Sequence, residues 1–291
     1  MKFACFSLGD ERRVGIVDDA GTQITPLALS VDAARNGLGA LVEADLGAID
    51  RLSPVRLDEV RLEAPFPRPR RNIFCVGKNY REHAREFSSS GFDSSAAAGE
   101  IPKEPIVFSK VPETVVAHGS PVRLDPSVTA AVDYEAELAV IIGRGGRGIR
   151  AEDALDHVWG YTIVNDVTAR DLQGRYSQWL IGKSQDTYCP MGPFAVTADG
   201  IDLADTAVRC YVNGELRQDA NTRDLIFSVP KIIETISAGV TLLPGDIIAT
   251  GTPAGVGIGF KPPRYLAHGD VVRVEIAGIG TLENRFLETA A

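Results

Sequence analysis

The 291-residue chain has no apolar run long enough to cross a bilayer, no cluster of basic residues, only four cysteines and only four histidines. Each shortage excludes something. A membrane-spanning helix needs about 20 consecutive, mostly apolar residues, so no span is expected. The opening MKFACFSLGDERR reaches its charges too soon for a secretory leader, and the expected location is cytoplasmic. With 30 Lys and Arg against 39 Asp and Glu, the formal charge is −9, which argues against nucleic acid and anionic membrane as partners. Cys5, Cys75, Cys189 and Cys210 lie far apart without a C-x-x-C pair, so reduced, buried thiols are expected in place of a disulfide frame or a zinc site. What remains is a globular protein, 44% hydrophobic, that handles small molecules or protein partners.

The chain divides by texture. Residues 1 to about 62 hold short alternating runs (KFACFSLG, RVGIVDD, TQITPLA), followed by a helical pattern from about Val31 to Leu52. They read as a small α+β unit. The proline- and arginine-rich EAPFPRPRRN, residues 63–72, reads as a linker, so the expected domains are 1–67 and 68–291. Beyond it the runs NIFCVG, PIVFSK, AELAVIIG, YTIVND, TAVRCYVNG, DIIATG and VVRVEIAG predict many strands. The clearest helices are Ala151 to His157 and Val229 to Ser237, so the larger domain should be β-rich and mixed. Within it SSSGFDSSAAAGE, residues 88–100, is too poor in apolar side chains to fix one conformation. It is either a loose surface loop or a mobile lid over about 84–104.

Two motifs compete for the chemistry. Gly143-Arg144-Gly145-Gly146-Arg147-Gly148 matches the dinucleotide pattern G-x-G-x-x-G after a strand. Against it, that strand carries acids on one face, and no series of βα units comes after it. A flexible glycine turn is the better reading. The strand itself, VDYEAELAVIIG, aims Asp133, Glu135 and Glu137 to one face by alternation. Such acids either face water or converge on something positive. If Asp166, at the end of YTIVND, lies beside them, three carboxylates without His or Cys partners suit a hard divalent cation, Mg²⁺ or Mn²⁺, with positions left for water and substrate.

These motifs together carry a resemblance. Cys75-Val76-Gly77-Lys78-Asn79-Tyr80 with His83 and Glu86, DYEAELAVIIG, NDVTARDLQ, GKSQDTYCPMGP and TGTPAGVG run in order from about Arg71 to Phe286 and resemble the fumarylacetoacetate hydrolase family. The resemblance implies a mixed β-roll catalytic domain, usually a homodimer, with one Mg²⁺ or Mn²⁺ held by Glu135, Glu137 and Asp166. It implies substrates that are 2-oxo acids or their enols. His83, oriented by Glu86 at i+3, would act as general base. Lys183 would bind substrate oxygens, Arg170 and Gln173 would order the ligand side of the metal, and Thr250, Gly251 and Thr252 would offer donors to a carboxylate. Here Gln185 stands in GKS-x-D where many members have an apolar residue, which bears on the substrate's tail. The rim Gly259 to Tyr265 and the lid should set specificity.

The resulting expectation is a metal-dependent hydrolase of acylpyruvate-type 2,4-dioxo acids, in which departure of a pyruvate enolate needs charge stabilisation. The alternative is an isomerase or decarboxylase of related 2-oxo acids such as oxaloacetate. A dinucleotide-dependent dehydrogenase and a catalytically silent 2-oxo acid binding protein are the disfavoured readings, since acids, base and lysine are all present.

Overall fold

Leu138, Val140 and Ile142 feed one hydrophobic core while Ala139 and Ile141 feed another, because successive side chains of the strand Ala136–Ile142 point to opposite faces. A strand buried on both faces must sit inside a sheet. It lies near the middle of a 12-stranded sheet, antiparallel to Val158–Asn165 on one side and to Ile247–Ala249 on the other. The structure, a computed structural model, describes residues 1–88 and 101–288. Residues 89–100, the centre of the lid expected over 84–104, lie outside the described residues.

The runs read as strands form strands, and others not read from the sequence join them, Cys189–Thr197, Glu215–Asn221 and Gly280–Glu288 among them. Ile247–Ala249 pairs in parallel with Ile73–Gly77, which pairs antiparallel with Ile106–Lys110 at the sheet's edge. In the other direction Val158–Asn165 joins Cys189–Thr197, and that strand pairs with the N-terminal strand Lys2–Leu8. The sheet is therefore continuous between the first residues of the chain and its larger part. A second sheet of five strands runs Glu215–Asn221, Ala207–Val212, Val271–Ile276, Gly280–Glu288 and Val122–Leu124. The protein is α+β and β-rich, with short helices. No helix among the described residues is long and apolar enough to cross a membrane.

Two expectations change, and the reading of the glycine pattern as a turn stands. The pattern over Val31 to Leu52 does not form one helix: it breaks into Val31–Ala34 and two short 3-10 turns, Gly37–Ala40 and Leu46–Ala48. Gly37 takes φ +58° and packs so closely on the Pro65 carbonyl that a Cβ would stand 2.4 Å from it, which a continuing helix forbids. Ala151–His157 is a 3-10 helix, whereas Val229–Ser237 is an α-helix capped by Ser228 and packed through Ile232, Ile233 and Ile236. The glycine pattern at 143–148 succeeds a strand that is antiparallel to both neighbours, so the parallel βαβ unit of a dinucleotide site is not built there. Gly143 and Gly146 instead donate to the His157 and Leu242 carbonyls at 2.7 and 2.9 Å.

Candidate active site

The strand register builds an acid cluster. Ala136 faces Asn165 and Glu137 faces Val164, so Asp166, one residue beyond the ladder, arrives beside Glu135. Two bonds lock that corner: Glu135 N donates to Asn165 Oδ1 at 3.0 Å, and Asp166 N donates to the Glu135 carbonyl at 2.8 Å. Oxygens of Glu135, Glu137 and Asp166 then lie within 4.8 Å of one another, all buried.

Asp133 does not join them. Regular strand stops at Asp133 and resumes at Ala136, because side chains replace the ladder there: Asp133 Oδ1 accepts from Tyr134 N at 2.9 Å and Gln218 Oε1 from Ala136 N at 3.1 Å. The expected alternation of three acids is broken by this interruption. Asp133 turns to Arg170 and the backbone of Gly257 and Ile258.

Three buried cations answer the acids. Lys183 Nζ bridges Glu135 Oε2 and Asp166 Oδ2 at 2.8 and 2.7 Å. Lys110 Nζ donates to Asp166 Oδ1 at 2.6 Å, and Arg170 Nη1 lies 2.6 Å from Glu135 Oε1. Burial disfavours the charged forms of Glu135, Glu137 and Lys183, so their partners decide the outcome. For Glu135 burial is outweighed by Lys183, Arg170 and His83, and its carboxyl is pulled down to about 2. Glu137 is pushed well above the ordinary range by burial, then by repulsion from Asp166 and Glu135, with Lys183 and the Gly251 N–H opposing. Lys183 is raised despite burial, because Asp166 and Glu135 outweigh it. All-oxygen donors with one destabilised carboxylate fit a hard divalent cation.

A cleft opens over this cluster, lined by His83, Glu135, Glu137, Arg170, Gln173 and Lys183. His83 is held on the helix Arg81–Ser88, with Nδ1 at 3.2 Å from Glu86 Oε2. Glu86 in turn accepts from Gly255 N at 3.0 Å. Arg170 is almost wholly buried, and its Nη2 has no hydrogen-bond partner among the described residues.

Other expected donors serve the frame. The Thr250 hydroxyl donates to the Leu138 carbonyl at 2.9 Å, and Gly251 N donates to Glu137 Oε2 at 2.8 Å. Thr252 lines the cleft, and its hydroxyl accepts from Gln218 at 2.8 Å. Gln185 donates to the Ile181 carbonyl at 2.7 Å and is not among the cleft-lining residues. His118 and His268 accept from the backbone N–H of Glu283 and Glu288 at 3.0 and 3.1 Å. The four cysteines are buried and free, with Cys189 pushed to about 12 by burial, so they are inert thiols.

Sequence reasoning passed over Lys110 and Lys78. Lys110 shares parity with Ile106 and Phe108 in PIVFSK, the one cue that it turns inward. Lys78 lines the cleft in left-handed backbone conformation, φ 55°; it lies inside the Cys75–Tyr80 motif, which gave it no role of its own.

The comparisons agree with this geometry. Residues 72–287 match the family described as fumarylacetoacetate (FAA) hydrolase C-terminal. The chain is 54% identical over 230 residues to oxaloacetate tautomerase YisK of Bacillus subtilis (strain 168), covering 79% of this chain and 74% of that protein. The structure is similar to fumarylacetoacetate hydrolase from Exiguobacterium antarcticum, with a TM-score of 0.82 and 42% identity over 99% of this chain and 100% of the other. It is also similar to 2-hydroxyhepta-2,4-diene-1,7-dioate isomerase from Mycobacterium marinum, with a TM-score of 0.78 and 34% identity over 100% of both.

Proposed function

The chain belongs to the fumarylacetoacetate hydrolase family of enzymes, and on that premise we propose that it interconverts the keto and enol forms of a small 2-oxo dicarboxylic acid such as oxaloacetate. Of the two reactions read from the sequence, the relatives support the isomerase alternative more than acylpyruvate hydrolysis. The observation that carries the proposal is the cleft itself. A base dyad, an acid cluster and an arginine whose Nη2 has no hydrogen-bond partner among the described residues line one cleft. That set of groups suits a small 2-oxo diacid.

Tautomerisation needs a proton moved between C3 and the enol oxygen. No attacking water is required. In the proposal His83 takes the proton from C3 and delivers it to the enolate oxygen, and carries it back in the reverse direction, so that one proton changes place and none is lost, while Glu86 orients the ring. Arg170 receives a carboxylate on Nη2. Glu135, Glu137 and Asp166 would hold Mg²⁺ or Mn²⁺, which would supply Lewis-acid polarisation of the 2-oxo oxygen. Lys183, between Glu135 and Asp166, balances their charge, and Phe87, Phe108 and Trp179 form apolar walls that limit water.

All these groups fall in residues 68–291, where the proposal places the chemistry. The homodimer that the resemblance implies is part of it, and a monomeric mass by light scattering would remove that part. The activity is tested by following decay of the enol absorbance of oxaloacetate beside cleavage of acetylpyruvate, in the same Mg²⁺-loaded preparation. Faster enol decay without acetylpyruvate cleavage is expected. Cleavage without faster tautomerisation would return the hydrolytic reading.

A further inference from the structure

Asp133 is fully buried, and four N–H donors surround it. Oδ1 accepts from Tyr134 N at 2.9 Å and Gly257 N at 2.7 Å; Oδ2 accepts from Ile258 N at 2.9 Å and Arg170 Nε at 2.8 Å. A carboxylate offers about four acceptor sites, so Asp133 has none left for a cation. Its service is to Arg170. A guanidinium is planar and rigid, and once two of its nitrogens are fixed the direction of the third is set. Asp133 fixes Nε, while Glu135 at 2.6 Å and Gln173 at 3.1 Å fix Nη1. Nη2 is the vertex left without a partner among the described residues, on a residue that lines the cleft.

The same short segment meets the base dyad. Gly255 N donates to Glu86, Gly257 N and Ile258 N donate to Asp133, and a Cβ on Gly259 would stand 1.9 Å from Glu86 Oε1. Residues 255–259 are thus clamped between two carboxylates, one behind His83 and one behind Arg170.

We propose that Asp133 is a positioning residue for substrate binding: it aims Arg170 Nη2 at a ligand carboxylate and ties that arginine to the glycine segment that holds Glu86. The proposal rests on the reading that the ligand is a 2-oxo acid, and a binding assay separates the two. Oxalate, a non-reacting mimic, is titrated calorimetrically into Mn²⁺-loaded parent, Asp133→Asn, Arg170→Met and the double variant. Asn keeps the size of Asp133 but presents an N–H toward Arg170 Nε when its oxygen faces the loop amides. Asp133→Asn should weaken oxalate about tenfold, the scale of a hydrogen bond to a charged group, while Mn²⁺ affinity stays within about twofold of the parent. The double variant should bind oxalate no more weakly than Arg170→Met, since groups that act as one unit are not additive. Parental oxalate affinity in Asp133→Asn, or losses that add in the double variant, would overturn the proposal. If Asp133→Asn fails to fold, Arg170→Lys carries the test. Its ammonium keeps the charge without the fixed fork and should weaken oxalate about tenfold as well, and parental affinity there would overturn the idea. A parent protein that does not bind oxalate would remove the 2-oxo acid reading and this proposal together.

Discussion

Glu135 and Glu137 stand two residues apart and are both buried, yet their proton affinities move in opposite directions. The difference lies in their partners. Glu135 faces Lys183 and Arg170, so its ionised form stabilises the fold above the ordinary carboxylate range, and that contribution is lost as pH falls toward about 2. Glu137, stripped of water by burial and crowded by Asp166 and Glu135, binds its proton more tightly folded than unfolded. In metal-free protein its contribution is therefore present at low pH and lost as pH rises through the raised value. Replacing it should relieve the repulsion. In the presence of chelator at neutral pH, Glu137→Gln is expected to raise Tm by about 2 °C or more and to flatten the dependence of Tm on pH, while abolishing Mn²⁺ binding. A parental Tm–pH curve in the variant would contradict this. Lys110, fully buried against Asp166 and the Val167 carbonyl, gives the opposite case. Lys110→Met leaves Asp166 Oδ1 without its donor and should cost about 3–5 kcal/mol in denaturant unfolding, the usual result of breaking a buried pair from one side.

The helix Arg81–Ser88 and the segment 255–259 act together, because Glu86 reaches from one to accept from the other. Proton transfer and metal holding sit on different elements and should separate. His83→Ala is expected to reduce tautomerisation by about 10²- to 10⁴-fold with Mn²⁺ affinity within about twofold; collapse of metal binding would place His83 among the metal's ligands. Gly259→Ala forces a methyl against Glu86 and should lower kcat about tenfold, on the scale of one disturbed charged hydrogen bond, with little change in Tm. Elements of this kind were only partly legible. The continuous apolar run AELAVIIG and the alternating VVRVEIAG announced their strands, since burial on two faces writes an unbroken apolar run and burial on one face writes alternation. The break at Tyr134 and Glu135 was hidden, because backbone N–H groups there donate to the side chains of Asn165 and Gln218 in place of the ladder and those partners are distant in sequence. The 31–52 region misled for a similar reason. Its helical period is overridden by the contact of Gly37 with Pro65.

The whole molecule gathers one chemistry from distant segments. Glu135, Glu137 and Asp166 were readable as a cluster because a hairpin of neighbouring strands brings them together, and the structure sets their oxygens within 4.8 Å. Lys110 and Lys183 come from segments far apart in the chain, so their convergence on Asp166 arose from topology and not from local pattern. Thr250 and Gly251 show the converse: a motif places them near the site, while long-range bonds to Leu138 and Glu137 engage their donors internally. The reaction is where sequence reached least, since hydrolysis, decarboxylation and tautomerisation share an enolate and differ in how that enolate is formed and consumed. Proton NMR of oxaloacetate in D₂O with Mg²⁺-loaded protein separates them in one sample. Tautomerisation through His83 predicts enzyme-dependent exchange of the C3 protons for deuterium, faster than the uncatalysed rate and lost on His83→Ala, with the four-carbon skeleton intact. Pyruvate appearing in step with the exchange, or exchange no faster than in buffer, would contradict it.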